Sequence, residues 1–103
     1  MNEEGIYRLS ESYSLFKGDF KEVKYFLFNI EDGTIYKMNS VSYDMLSLFD
    51  GNRQINEILD LFLSQYNGEE KQMKSDFFYL VSSWLKKKIL VAGGEHDGRK
   101  EKL

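Results

Sequence analysis

Asp32-Gly33 lies between two short runs of aromatic and β-branched residues, Val23 to Ile30 (VKYFLFNI) and Thr34 to Met38 (TIYKM). Asp-Gly in that setting predicts a β-hairpin, because a two-residue type I′ loop needs positive φ at both central positions. With Asp32-Gly33 as the loop, Ile30 faces Ile35, Asn29 faces Tyr36, Phe28 faces Lys37 and Leu27 faces Met38. Leu27, Asn29, Tyr36 and Met38 then share one face, and Phe26, Phe28, Ile30 and Ile35 the other. Both faces are apolar in large part, whereas a hairpin with one wet side carries one such face. The second face is therefore covered by another segment or meets a partner.

The rest of the chain reads as strands first, then helices. Residues 1–12 form a polar arm with Ile6, Tyr7 and Leu9 able to extend. Tyr13 to Phe16 is a modest strand, and Gly18-Asp19 is expected to turn the chain. Asn39 or Ser40 can cap a first helix carrying Val41, Met45, Leu46, Leu48 and Phe49, with Gly51 as its stop. A second helix over about 55–66 has an apolar stripe of Ile55, Ile58, Leu59, Phe62, Leu63 and Tyr66. Asn67-Gly68 ends it. A third helix, about 70–87, opens on Glu69-Glu70 and closes on Lys86-Lys87-Lys88, matching the helix dipole at both ends. It carries two apolar stripes, Met73, Phe77, Leu80 and Trp84 on one side and Phe78, Val81 and Leu85 on the other. Ile89 to Val91 is a short extended stretch. Glu95 to Leu103 is a charged tail expected to be disordered. The expected division is thus an arm over 1–12, one domain over 13–92 and a tail over 93–103.

Composition removes most catalytic chemistry. The 103 residues contain no Cys and one His. Disulfides, thiolate metal sites and cysteine nucleophiles are excluded, and His96, in the polar tail, has nothing to build a triad or metal site with. Neither metal nor cofactor is expected. The acidic pairs Glu3/Glu4, Glu31/Asp32 and Glu69/Glu70 fall in loops, turns or helix starts and read as solvated surface. The start, Met1-Asn2-Glu3-Glu4, is unlike a signal peptide, and no apolar run approaches the ~18 residues of a membrane span. A cytoplasmic protein with no membrane partner is expected. The net charge of −3 argues against non-specific nucleic-acid binding.

A surplus of aromatic residues remains, 16 in all. Phe49, Phe62, Phe77 and Trp84 are core candidates. The strand over 34–38 has only Lys37 and no proline to blunt its edge. An open edge beside an apolar helix face is what a domain needs to accept an added peptide strand. The competing reading is a small winged-helix DNA-binding regulator. Its last helix would offer Lys71, Lys74, Ser75, Ser82 and Ser83 with no Arg and no Asn, a poor set for reading bases.

Three segments resemble a known family. Tyr36-Lys37-Met38-Asn39 resembles the strand-to-helix "leucine-asparagine" junction of the PqqD-like family, also called the RiPP recognition element. Leu48-Phe49-Asp50-Gly51-Asn52-Arg53 followed by Glu57-Ile58 resembles its "aspartate-glycine-x-arginine … glutamate-isoleucine" junction. Asp76-Phe77 through Trp84, then Ile89-Leu90, is similar to its third helix and exit. The resemblance covers about residues 13–91. Gln54 stands where a Thr or Ser cap is usual and Lys88 where glycine is common. The start of the second helix and the end of the third are therefore open. Met38 replaces a leucine of similar volume. The resemblance implies an α+β, winged-helix-like fold, a three-stranded antiparallel sheet followed by three helices. It also implies a non-catalytic adaptor that binds the leader of a ribosomally synthesised precursor peptide. Such a domain delivers the precursor to a maturation enzyme such as a radical enzyme, cyclase or leader protease. Carried onto this chain, the leader pairs with Thr34, Ile35, Tyr36, Lys37 and Met38, against a helix wall of Lys74, Phe77, Phe78, Val81 and Leu85. A monomer or weak homodimer is expected, since an open edge can also self-pair.

Overall fold

The computed structural model describes residues 3–19 and 21–93; the expected tail over 95–103 lies outside them. The elements in chain order are β1 (Ile6–Leu9), β2 (Tyr13–Asp19), β3 (Val23–Asn29), β4 (Ile35–Met38), α1 (Ser40–Ser47), β5 (Asp50–Gln54), α2 (Ile55–Gln65), α3 (Glu70–Lys86) and β6 (Leu90–Ala92). They form two three-stranded antiparallel sheets, β2-β3-β4 and β5-β1-β6. The first is the expected sheet that precedes three helices. The second gathers the arm, the link between α1 and α2, and the exit from α3.

The hairpin forms where expected but its register differs by two residues. Leu27 pairs with Tyr36 and Phe28 with Ile35, so the loop is wider than Asp32-Gly33. Asn29 is the cause. Its N–H donates to Thr34 O at 2.8 Å, and its own carbonyl accepts from Gly33 N at 2.8 Å. Its side-chain Oδ1 accepts from the amides of Glu31 (2.9 Å) and Asp32 (3.3 Å), an Asx-type bond that substitutes for the ladder. Ser12 holds the loop from the β2 side, through Ile30 N to Ser12 O at 2.8 Å and Ser12 Oγ to Glu31 Oε2 at 2.8 Å. Gly33, at φ +80°, makes the turn. Thr34 N donates to Asp32 Oδ1 at 2.8 Å, and this bond holds the Asp32 carboxyl below its ordinary range. A slip of two residues preserves which side chains share a face, so both expected faces survive. At the other end of β2 the strand runs on through Asp19, pairing with Val23, so Gly18-Asp19 does not turn the chain.

Asn39 caps α1, its Oδ1 accepting from Ser42 N at 2.8 Å. Gly51 is not the helix stop. It lies within β5, where four residue steps from Asp50 to Gln54 match two from Arg8 to Ile6. The extra chain bulges at Gly51, φ +85°, a conformation L side chains resist. Asp50 and Arg53 close this junction. Asp50 accepts from Asn52 N (2.9 Å) and pairs with Arg53 (3.4 Å), which donates to Leu48 O (3.3 Å). Gln54 is the residue before α2, and Glu57 Oε1 accepts its backbone N–H at 2.8 Å, the returning half of a capping box.

The core lies where the helices meet the inner face of the hairpin. Leu27, Met45, Leu46, Phe49, Ile55, Ile58, Phe62, Phe77, Val81, Trp84 and Leu90 are all buried, including the four core candidates. α3 ends in a Schellman arrangement. Lys88 N donates to Leu85 O (3.1 Å) and Ile89 N to Trp84 O (2.8 Å), which delivers Ile89 into the core. Lys88 therefore takes φ +62°, a position glycine usually fills. The helix stops without the glycine, at the expense of local strain. Lys88→Gly is expected to raise stability by roughly 1 kcal/mol, read as a higher urea midpoint with an unchanged slope. An unchanged or lower midpoint would contradict the strained cap.

Candidate functional site

β4 is an edge strand, and residues 34 to 37 are exposed while Met38 is half-buried. The bond between Asn29 and Thr34 sets the phase of the ladder. Residues 34, 36 and 38 turn their backbone groups toward β3, and Ile35 and Lys37 turn theirs to the open edge. Tyr36 and Met38 point to the inner face of the hairpin, where Trp84 of α3 and Lys87 just past its end share a cavity with them.

Two cavities flank the Met38-Asn39 junction. One, of about 450 Å³, is lined by Tyr13, Leu27, Tyr36 and Met38 of the sheet and by Trp84, Lys87 and Ile89. The other, of about 470 Å³, is lined by Asn39, Val41, Ser42 and Met45, by Phe62, Tyr66 and Asn67, and by Met73, Asp76, Tyr79 and Leu80. Met73, Asp76, Leu80 and Trp84 of α3, with Lys87 just past its end, form one stripe at helical spacing along the two cavities, and Tyr79 borders the second from beside it. β4 and the C-terminal end of this stripe wall the first cavity, and the second lies beyond Met38, between α1, the end of α2 and α3.

The expected wall of α3 is distributed differently. Phe77 and Val81 have 0% of their surface exposed and are core residues, without a face to offer a ligand. Lys74, Phe78 and Leu85 lie roughly 150° around the helix from that stripe, at 100° per residue. Lys74 pairs there with Glu70 at 3.2 Å, and Phe78 stands edge-on to Phe77 at 5.3 Å. Leu80 lines the second cavity, and Trp84 and Lys87 the first. Two apolar stripes on one helix left the choice open.

The outer face of the hairpin is not covered by any described segment. Phe16 and Phe26 stack there with centroids 4.9 Å apart, and Phe16, Ile30 and Ile35 are exposed. Among the described residues no group of His, Asp or Glu is placed to hold a metal, and no helix is long and apolar enough to cross a membrane.

Polar groups at the second cavity are tied down. Tyr66 Oη donates to Asp44 Oδ2 at 2.6 Å, joining the end of α2 to α1. That bond, with partial burial, pushes the phenol up to about 12. The contribution is complete below about pH 10, where an unfolded tyrosine still holds its proton. It declines from there to about pH 12, because only the folded chain keeps the proton in that window. A tyrosinate absorbance step near pH 12 that Tyr66→Phe removes is the expected result; no such step would contradict the bond. For Val81, the core placement predicts that Val81→Asp loses more than about 3 kcal/mol, from an unpaired buried charge. A folded Val81→Asp by circular dichroism would return that residue to the surface.

The chain is similar in fold to two solved structures. One is described as TbiB1 in complex with the TbiA(beta) leader peptide, with TM-score 0.65 and 19% identity over 87% of this chain and 99% of that one. The other is described as lasso peptide synthetase B1 complexed with the leader peptide, with TM-score 0.64 and 16% identity over 82% and 96%. No curated protein sequence matches. The family described as coenzyme PQQ synthesis protein D (PqqD) matches residues 24–90, from within β3 to the first residue of β6, and the chain belongs to that family.

Proposed function

We propose that this chain is a non-catalytic adaptor of the cytoplasm. It captures the leader of a ribosomally synthesised precursor peptide and hands the precursor to a maturation enzyme such as a radical enzyme, cyclase or leader protease. The observation that carries the reading is the open edge of β4 beside a groove walled by α3. Other strands also have an unpaired edge, but β4 contributes both Tyr36 and Met38 to a cavity shared with α3. Family membership and the leader-bound state of the two similar structures support it.

In this reading the leader adds as a fourth strand to β2-β3-β4. Antiparallel addition continues a sheet that is antiparallel throughout and is the more stable pairing per residue. The main-chain groups of Ile35 and Lys37 make the ladder. Alternate leader side chains enter the groove against Leu80 and Trp84. The exposed apolar outer face, around Phe16 and Ile35, lies on the other side of the sheet and is open to the enzyme while the leader is held. Nucleic acid and membrane have no part in this role, and a monomer suffices for it.

Proline tests the edge directly, because it is tolerated in an edge strand where its missing N–H faces solvent. Lys37→Pro is expected to fold normally and to weaken leader binding at least about tenfold, through a lost hydrogen bond and the ring at the edge. Calorimetric titration with the leader encoded beside the gene reads the effect. Unchanged affinity in a folded Lys37→Pro would place the leader elsewhere.

A further inference from the structure

The groove has a charge order. Among the described residues lining the cavity beside Tyr36 and Met38, Lys87 alone is charged. It is exposed and has no ion pair among the described residues. Asp76 alone is charged among those lining the cavity beyond Met38. Asp76 accepts from Gln72 Nε2 at 2.9 Å, a neutral partner that leaves its charge uncompensated. The α1 N-terminus enters the same cavity, but Asn39 caps its Ser42 amide, which softens the opposing dipole. The cavity at the Asn39 end is thus negative and the one at the Tyr36 end positive.

We propose that this polarity selects the peptide: the strand held on β4 carries a basic residue toward Asp76 and an acidic residue, further along, toward Lys87. This rests on the strand-addition reading above. An antiparallel peptide runs from the Asn39 end to the Ile35 end, so its basic residue precedes its acidic one. The separation follows from geometry. Asp76 and Lys87 are about 16 Å apart along α3 at 1.5 Å per residue, and roughly five residues of a strand running alongside that helix span this at 3.3 Å each. Both side chains must face α3, and side chains alternate along a strand, so the spacing is even. The acidic residue stands about four or six positions after the basic one. The side chain between them that meets Leu80 and Trp84 is apolar. Exposed pairs of this kind are weak and salt-screened. They act as a filter on charge order, and reversing both peptide charges is expected to weaken binding about three- to tenfold at low salt.

The probe is a displayed library of random linear twelve-residue peptides, selected at low salt on the full chain and on three variants. Wild type is expected to enrich a basic residue followed, four or six positions later, by an acidic one. Lys87→Glu is expected to turn the second preference basic and leave the first unchanged; Asp76→Lys is expected to turn the first acidic. No enrichment is expected on Lys37→Pro. Peptides that Lys37→Pro abolishes but that show no charge order, or an order that Lys87→Glu leaves unchanged, overturn the filter and leave strand addition standing. Enriched peptides indifferent to Lys37→Pro, or none at all, overturn both. An empty selection with a sedimenting dimer that Lys37→Pro dissociates assigns the edge to a second copy and also overturns the proposal.

Discussion

Phe77 is the contact on which the groove depends. It is fully buried and meets Phe49 at 6.5 Å, Phe62 at 6.0 Å and Phe78 at 5.3 Å, ring centre to ring centre. Phe49 in turn holds Trp84 edge-on at 6.4 Å. Aromatic contacts of this kind add about 0.5–1.5 kcal/mol each beyond the area they bury. Phe49 follows α1, Phe62 belongs to α2, and Phe77 and Trp84 are four and eleven residues from Met73 on α3. The cluster therefore fixes how the three helices sit against one another, and Leu27 of the hairpin is buried in the same core. Tyr36 and Met38, on the same sheet face, border a cavity with Trp84.

The second sheet has a different part. β1, β5 and β6 tie the chain ends of the helical unit together, and the Asp50-Gly51-Arg53 junction and the strained Lys88 cap set where α1 and α3 hand over to it. None of these residues borders the groove. An ion pair, a left-handed glycine and a Schellman exit each constrain sequence through backbone geometry alone.

Much of this was legible in the residues, and the misses have physical causes. The two faces of the hairpin were readable because alternation survives a slip of two; the register was not, because Asn29 closes the loop with its side chain and outcompetes the Asp-Gly turn. The three helices were readable from apolar spacing and caps. β5 was not, because Asp50-Gly51-Asn52-Arg53-Gln54 has no apolar alternation and is a strand only through pairing with β1. The open edge over 34–38 was readable from the absence of proline. The packing of the helix wall was not readable, because α3 has two apolar stripes, and only the fold shows that Val81 faces the core while Trp84 borders β4 and Leu80 the cavity beyond it. Lys87 was read as a helix-end charge, which it is; its position opposite Tyr36 needs the tertiary fold.

Hydrogen exchange at single-amide resolution, on the chain with and without a leader peptide, tests strand addition most directly. Strand addition predicts new protection at the amides of Ile35 and Lys37, with little change at Tyr36, whose backbone already faces β3. New protection confined to β5, β6 or the outer face around Phe16 and Ile30, with Ile35 and Lys37 exchanging as before, would contradict it.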